Sequence, residues 1–214
     1  MQQVVNRSQS LGEEIANTVS HGAALVAAIV AVPFLIAATL DLSVANLIAA
    51  AMFAVTMVTL YLTSTLYHAL PAGQAKRVFK KLDHGAIYLF IAGSYTPFAL
   101  GALKGPWGWS LLALVWSMAL VGIALKVLDR LSHPWLSTAL YLVMGWLVLI
   151  AAVPLVEHVP TPGIVLLAAG GIAYTAGVVF FLLDCRMRYA HTIWHGFVAV
   201  GTGCHYFAVL SYAA

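Results

Sequence analysis

Seven apolar runs, each about twenty residues long or longer, follow one another with almost no connecting loop, and that succession leaves few folds open. Their edges fall near residues 17–40, 44–70, 83–103, 107–127, 135–156, 163–183 and 190–212. As helix, roughly twenty residues cross about 30 Å of hydrocarbon with every backbone hydrogen bond satisfied inside the segment. The expectation is an all-α membrane protein, a bundle of seven transmembrane helices. Composition agrees, since 63% of residues are hydrophobic and 8% charged, where soluble domains carry about 25% charged residues. The longest connection, residues 71–82, is too short to fold alone. Residues 1–16 therefore read as an N-terminal segment and residues 17–214 as one membrane domain.

The few charges are shared unevenly between the two sides. Arg7, Lys76, Arg77, Lys80, Lys81, Lys126, Arg130, Arg186 and Arg188 fall on the side of the N-terminus; Lys104 alone falls on the other. Nine against one is a strong positive-inside bias, which predicts a cytoplasmic N-terminus, an external C-terminus and residence in the cell inner (plasma) membrane. The net charge of +3 then reflects topology. No basic groove interleaved with aromatics suggests nucleic acid, and membrane lipid is the partner expected. Residues 1–12 are polar and lack the apolar core and cleavage site of a signal peptide. Cys185 and Cys204 make no disulfide framework and read as core or structural residues.

Chemistry concentrates in a few places. His191 and His195 stand four residues apart at the start of the seventh segment, on one helical face, where both imidazoles can reach a single metal ion. The similar zinc-protease motif carries a glutamate beside its first histidine; here that position is Thr192, so any base comes from elsewhere. The second segment ends in a polar stripe, Tyr61, Ser64, Thr65 and His68, on an otherwise apolar helix, which predicts that it faces the bundle interior. In the third segment Asp83, Ile87, Phe90 and Ser94 share a face. Asp83 reads either as a helix cap or as a site carboxylate, and His84, turned about 100° away, as a surface or supporting residue.

Ser10 resembles an N-cap, and Glu13 and Glu14 suit the start of the first helix. Glu14, Asn17 and His21 share a face, with His21 either packing or neighbouring a metal site. His205, about 15 Å deeper than His195, reads as a hydrogen-bonded core or cavity-lining histidine. The fourth and fifth segments read as scaffold, with Trp107, Trp109 and Trp135 as interfacial anchors; Lys126, Asp129, Arg130 and His133 form the loop between them. Gly170, Gly171 and Gly177 of the sixth permit close packing.

Topology brings His68, Asp83, His191 and His195 to one level in the cytoplasmic third of the membrane. Three histidines with an open position is the ligand count of a catalytic zinc, and Asp83 and Ser64 are then placed to hydrogen-bond its water.

At these residues the chain resembles the hemolysin III proteins, the bacterial branch of the progestin and adipoQ receptor family that includes the adiponectin receptors. Ser64-Thr-Leu-Tyr-His68, Lys81-Leu-Asp83 and His191-Thr-Ile-Trp-His195 look like its signature segments in order, and Glu13-Glu-Ile-Ala-Asn17 with Val19-Ser-His21 is similar to bacterial members. The resemblance implies a seven-helix bundle with its N-terminus inside, zinc held by His68, His191 and His195, and Ser64 and Asp83 beside the water of that site. It also implies kinship with the alkaline ceramidases, which are membrane zinc amidases. The function expected is zinc-dependent hydrolysis of a lipid amide or ester, with Asp83 carrying the proton and Ser64 steadying the water or the developing oxyanion. Two alternatives stand beside it: a pore-forming, hemolysin-like cytolysin, and a membrane-state sensor or receptor in which zinc is a structural tie.

Overall fold

The computed structural model describes residues 7–103, 105–131 and 134–213; Lys104 and His133 lie outside the described residues. Helix α1 spans Leu11–Ala37, α2 Val44–Ala69, α3 Gln74–Leu100, α4 Gly105–Val127, α5 Pro134–Trp146, α6 Ala152–His158, α7 Thr161–Leu183 and α8 Ala190–Tyr212, and a 3-10 turn over Leu147–Ala151 joins α5 to α6. There is no strand among the described residues. Counting Trp135–His158 as one span, six of these are long and apolar enough to cross a membrane. Helix α3 is 27 residues long, the same length as α1, but its first turns are basic.

The helices start where their capping chemistry places them. The Ser10 side chain accepts from the Glu13 backbone N–H while the Glu13 carboxylate accepts from the Ser10 N–H, a reciprocal capping box. Ser43 accepts from the Asn46 N–H in the same way at α2. Helix α8 opens after Tyr189, whose φ of 60° is left-handed and sets the sharp re-entry of the chain into the bundle.

Two sequence expectations need correction. Helix α3 begins at Gln74, nine residues before Asp83, so most of the expected loop over residues 71–82 is helix. Hydropathy marks where a helix becomes apolar; Lys76, Arg77, Lys80 and Lys81 form good helical turns beyond that limit. The fifth segment is also not one helix. The Tyr95 hydroxyl donates to the carbonyls of Met144 and Gly145, each at 2.8 Å, and accepts from the Val148 N–H at 2.9 Å. A side chain inserted into the i to i−4 ladder breaks it there, and Pro154, with no N–H to give, supplies no bond to restore the ladder one turn on.

Helix α1 packs on α2 and α8, α2 on α3, α3 on α4, and α7 on α8, while α5 touches α3, α4 and α7, so the chain closes a ring. Val26, Ile29, Val30 and Phe34 of α1 and Leu120 and Val121 of α4 point outward, exposed, as suits side chains solvated by lipid. Helices α7 and α8 meet closely where a Cβ on Gly170 would strike the His205 ring, which bears out the packing role expected of that glycine.

Candidate metal centre

The polar stripe of α2 does face inward. Tyr61, Ser64 and His68 are buried, and half-buried Thr65 returns its hydroxyl to the Tyr61 carbonyl. One turn of α8 sets His191 above His195, and both rings meet His68. Ring centroids lie 5.0 Å apart for His68 and His191, 5.1 Å for His68 and His195, and 4.7 Å for His191 and His195. One ligand nitrogen from each falls within 4.8 Å of the others, so the three can hold a metal ion.

Whether a metal suits these residues is decided by the other nitrogen of each ring. His68 Nδ1 lies 2.8 Å from a Glu14 carboxylate oxygen. A carboxylate only accepts, so Nδ1 carries the proton and Nε2 keeps its lone pair. That Nε2 is buried with no hydrogen-bond partner among the described residues, which fits a nitrogen able to ligate a metal. His195 Nδ1 lies 2.9 Å from the Ser20 hydroxyl. The single proton of Ser20 goes to the Asn17 carbonyl at 2.9 Å, so Ser20 accepts from Nδ1–H. His191 Nδ1 lies 3.3 Å from an Asp184 carboxylate oxygen, close but without hydrogen-bond alignment. In each ring Nδ1 lies against an oxygen, so Nε2 is the nitrogen left available to a shared metal ion.

Beside this cluster stands a second group. The Ser64 hydroxyl is 2.7 Å from His21 Nδ1 and also faces the Asp83 carboxylate. His21 lies flat on His195, with centroids 3.4 Å apart and planes 9° from parallel. Its Nε2 is buried without a partner among the described residues. His21, Ser64, Asp83, His191 and His195 line one end of a cavity of about 130 Å³ that continues between α3, α5, α7 and α8 past Ile87, Phe90, Ser94, Val178 and Val198.

Several expectations resolve here. Asp83 is no helix cap, because α3 starts nine residues earlier; its carboxylate faces the cavity with Ile87, Phe90 and Ser94, as their shared face predicted. His84 also lines the cavity rather than the surface, its carbonyl accepting from the Tyr141 hydroxyl at 2.9 Å. Helix α5 is more than scaffold, because Thr138, Tyr141 and Trp146 form one wall. His205 satisfies both of its readings: it lines the cavity and approaches the Leu167 carbonyl at 3.3 Å. Tyr61 stays outside the cavity, edge-on to His21.

Sequence reasoning missed most of what holds the cluster. Glu14 was legible as a helix-start carboxylate sharing a face with His21, but Ser20, Asp184 and Gln9 carried no signal of their own. Thr192, standing where the zinc proteases have glutamate, donates to the Asn17 side-chain carbonyl at 2.6 Å.

Comparison with known proteins identifies the family. The family described as haemolysin-III related matches residues 9–206. The Bacillus cereus protein named Hemolysin-3 is 40% identical over 99% of this chain and 96% of its own length. The Hemolysin-3 homolog of Bacillus subtilis (strain 168) is 42% identical over 95% of each chain. The human monocyte to macrophage differentiation factor is 31% identical over 94% of this chain and 84% of its own. No solved structure matches the chain significantly. With near full-length relatives and six apolar spans, this chain belongs to the haemolysin-III related family of multi-pass membrane proteins.

Proposed function

We propose that this protein is a zinc-dependent hydrolase of a lipid amide or ester bond, built as a seven-span bundle in the inner membrane with its N-terminus in the cytoplasm. The observation that carries the reading is that a three-histidine cluster able to hold a metal opens on the same apolar cavity as a buried serine and a buried aspartate. A zinc ion bound there supplies Lewis-acid polarisation of the carbonyl and lowers the pKa of water to about 7. Asp83 takes the proton of the attacking water and passes it to the leaving group. Ser64, held by His21, hydrogen-bonds the water or the developing oxyanion. The apolar lining from Ile87 to Val198 accommodates an acyl chain and excludes bulk water. Support for inward headgroup access comes from the basic start of α3: Lys76 pairs with Glu14, whose carboxylate also bonds the His68 ring, so the basic end of the bundle is the end that carries the cluster.

The test is a mass-spectrometric screen for consumed lipids with purified protein stripped of zinc and reloaded. Hydrolysis that depends on zinc and is lost in Asp83→Asn supports the reading; metal-loaded protein inert across ceramides and acyl lipids refutes it. Activity lost with zinc but intact in Asp83→Asn assigns the proton transfer elsewhere. The name Hemolysin-3 carried by the Bacillus cereus relative favours a second reading, a cytolytic pore. Liposome leakage that persists after His68→Ala, His191→Ala and His195→Ala together would select it.

A further inference from the structure

The first helix contributes no ligand to the histidine cluster, yet its residues and their contacts reach every ring in it. Glu14 accepts a hydrogen bond from the Nδ1–H of His68, and its other carboxylate oxygen is held by Lys76 Nζ at 2.9 Å. Ser20 accepts a hydrogen bond from the Nδ1–H of His195. Asp184, which faces His191 Nδ1, is itself gripped by the Gln9 amide at 3.0 and 3.2 Å. The Gln9 carbonyl accepts from the Asn17 amide at 2.8 Å, and Asn17 accepts from Thr192, on the α8 turn between the two histidines. Farther out, Glu13 pairs with Arg7 and accepts the Tyr189 N–H at 2.9 Å, fastening the N-terminal segment to the turn that opens α8.

We infer that Glu14, Ser20 and Asp184 are positioning residues for the metal, and that α1 with the preceding segment forms an outer shell that sets the tautomer and direction of the His68 and His195 imidazoles and holds Asp184 against the His191 ring. The inference rests on the metal reading of the cluster. Its physical content is that an imidazole without an Nδ1 acceptor samples both tautomers and several ring rotations, and only one of each presents Nε2 to the ion. An acceptor also raises the basicity of the ligating nitrogen, most of all a carboxylate. Removing one such partner weakens metal binding by about 10- to 100-fold while leaving the ligands themselves in place.

The experiment measures zinc affinity by chelator competition on full-length protein in detergent, with the visible bands of the cobalt-substituted protein as a second readout. Wild type is compared with Glu14→Ala, Ser20→Ala and Asp184→Ala, and with the conservative Glu14→Gln, Ser20→Thr and Asp184→Asn, each of which retains an oxygen acceptor. Expected are an affinity about 10- to 100-fold weaker and altered cobalt bands in the alanine variants, substantial recovery in the conservative set, and unchanged melting of the zinc-free proteins. Unchanged affinity and spectra in the alanine variants overturn the inference and leave the metal centre standing. Weakened binding with lowered zinc-free melting and no recovery also overturns it, because the residues then serve packing alone. Wild-type protein that binds neither metal refutes the underlying reading instead.

Discussion

The Ser64 hydroxyl lies 2.7 Å from Nδ1 of His21, a residue 43 positions earlier on a different helix that lies flat against the His195 ring. His21 thereby links the serine beside the cavity to the histidine cluster without joining it. Replacing it with phenylalanine keeps a stacked ring and removes the hydrogen bond. The loss of about 1–3 kcal/mol of positioning corresponds to about a 5- to 150-fold lower rate of lipid turnover. Zinc content, measured on the same preparation, stays at the wild-type level. A turnover rate equal to wild type removes His21 from the mechanism.

Zinc content is itself a prediction. Wild-type protein carries about one zinc per chain, held in a three-histidine site, whereas His191→Ala purified in parallel carries little. Because the ion binds only the folded state, free zinc at 100 times its dissociation constant adds about 2.7 kcal/mol of stability to wild type. No such shift appears in His191→Ala. Elemental analysis and thermal melting read the two effects separately.

Tyr95 has a measurable structural role. Tyr95→Phe removes a hydroxyl that serves the Met144 and Gly145 carbonyls and the Val148 N–H. Leaving such buried backbone groups unpaired costs about 1–3 kcal/mol, seen as a lower melting temperature. Faster amide hydrogen exchange at Val148 localises the loss.

Glycines on α4 and α8 are expected to respond oppositely to one methyl group. A Cβ on Gly108 would collide with the Ala99 backbone carbonyl, and backbone cannot rotate aside. Gly108→Ala therefore destabilises by about 1–3 kcal/mol through overpacking of α3 against α4. At Gly196 nothing lies within 4 Å of the added carbon. Gly196→Ala is therefore neutral, or stabilising by up to about 1 kcal/mol from helix propensity. Equal melting shifts for the two would refute the close contact of α3 and α4.

Topology is tested with single cysteines at Lys80 and Glu157, both exposed, in a background with Cys185 and Cys204 replaced by serine. With the N-terminus inside, a membrane-impermeant thiol reagent labels Lys80→Cys only in inverted vesicles and Glu157→Cys only in right-side-out ones. The reverse pattern turns the bundle over.

Much of the architecture is written locally and could be read without coordinates. A stretch of apolar residues such as 163–183 states its own fate, because burying backbone in lipid requires helix. The capping box of Ser10 and Glu13 lies within four residues of chain, and the polar stripe from Tyr61 to His68 within eight. The four-residue spacing of His191 and His195 likewise puts both rings on one face. Even the approach of His68 to that pair followed from counting basic residues, since topology assigns each helix end a level in the membrane.

What sequence could not supply were the contacts that join distant positions and the places where those contacts override local preference. Residues 135–156 read as one helix because their composition is uniformly apolar; the break at Leu147–Ala151 belongs to Tyr95, which reaches in from α3. The cap reading stood open for Asp83 beside that of a site carboxylate because hydropathy starts there, while the helix itself starts at Gln74. The bonds from Glu14 to His68 and from Ser20 to His195 span 54 and 175 residues, and neither pair has a spacing that marks it. The amino-acid sequence determined which helices exist and which faces are polar, because hydrophobicity and helical periodicity act over a few turns. Only the tertiary structure decided which oxygen faces each imidazole, because that depends on how α1 packs between α2 and α8.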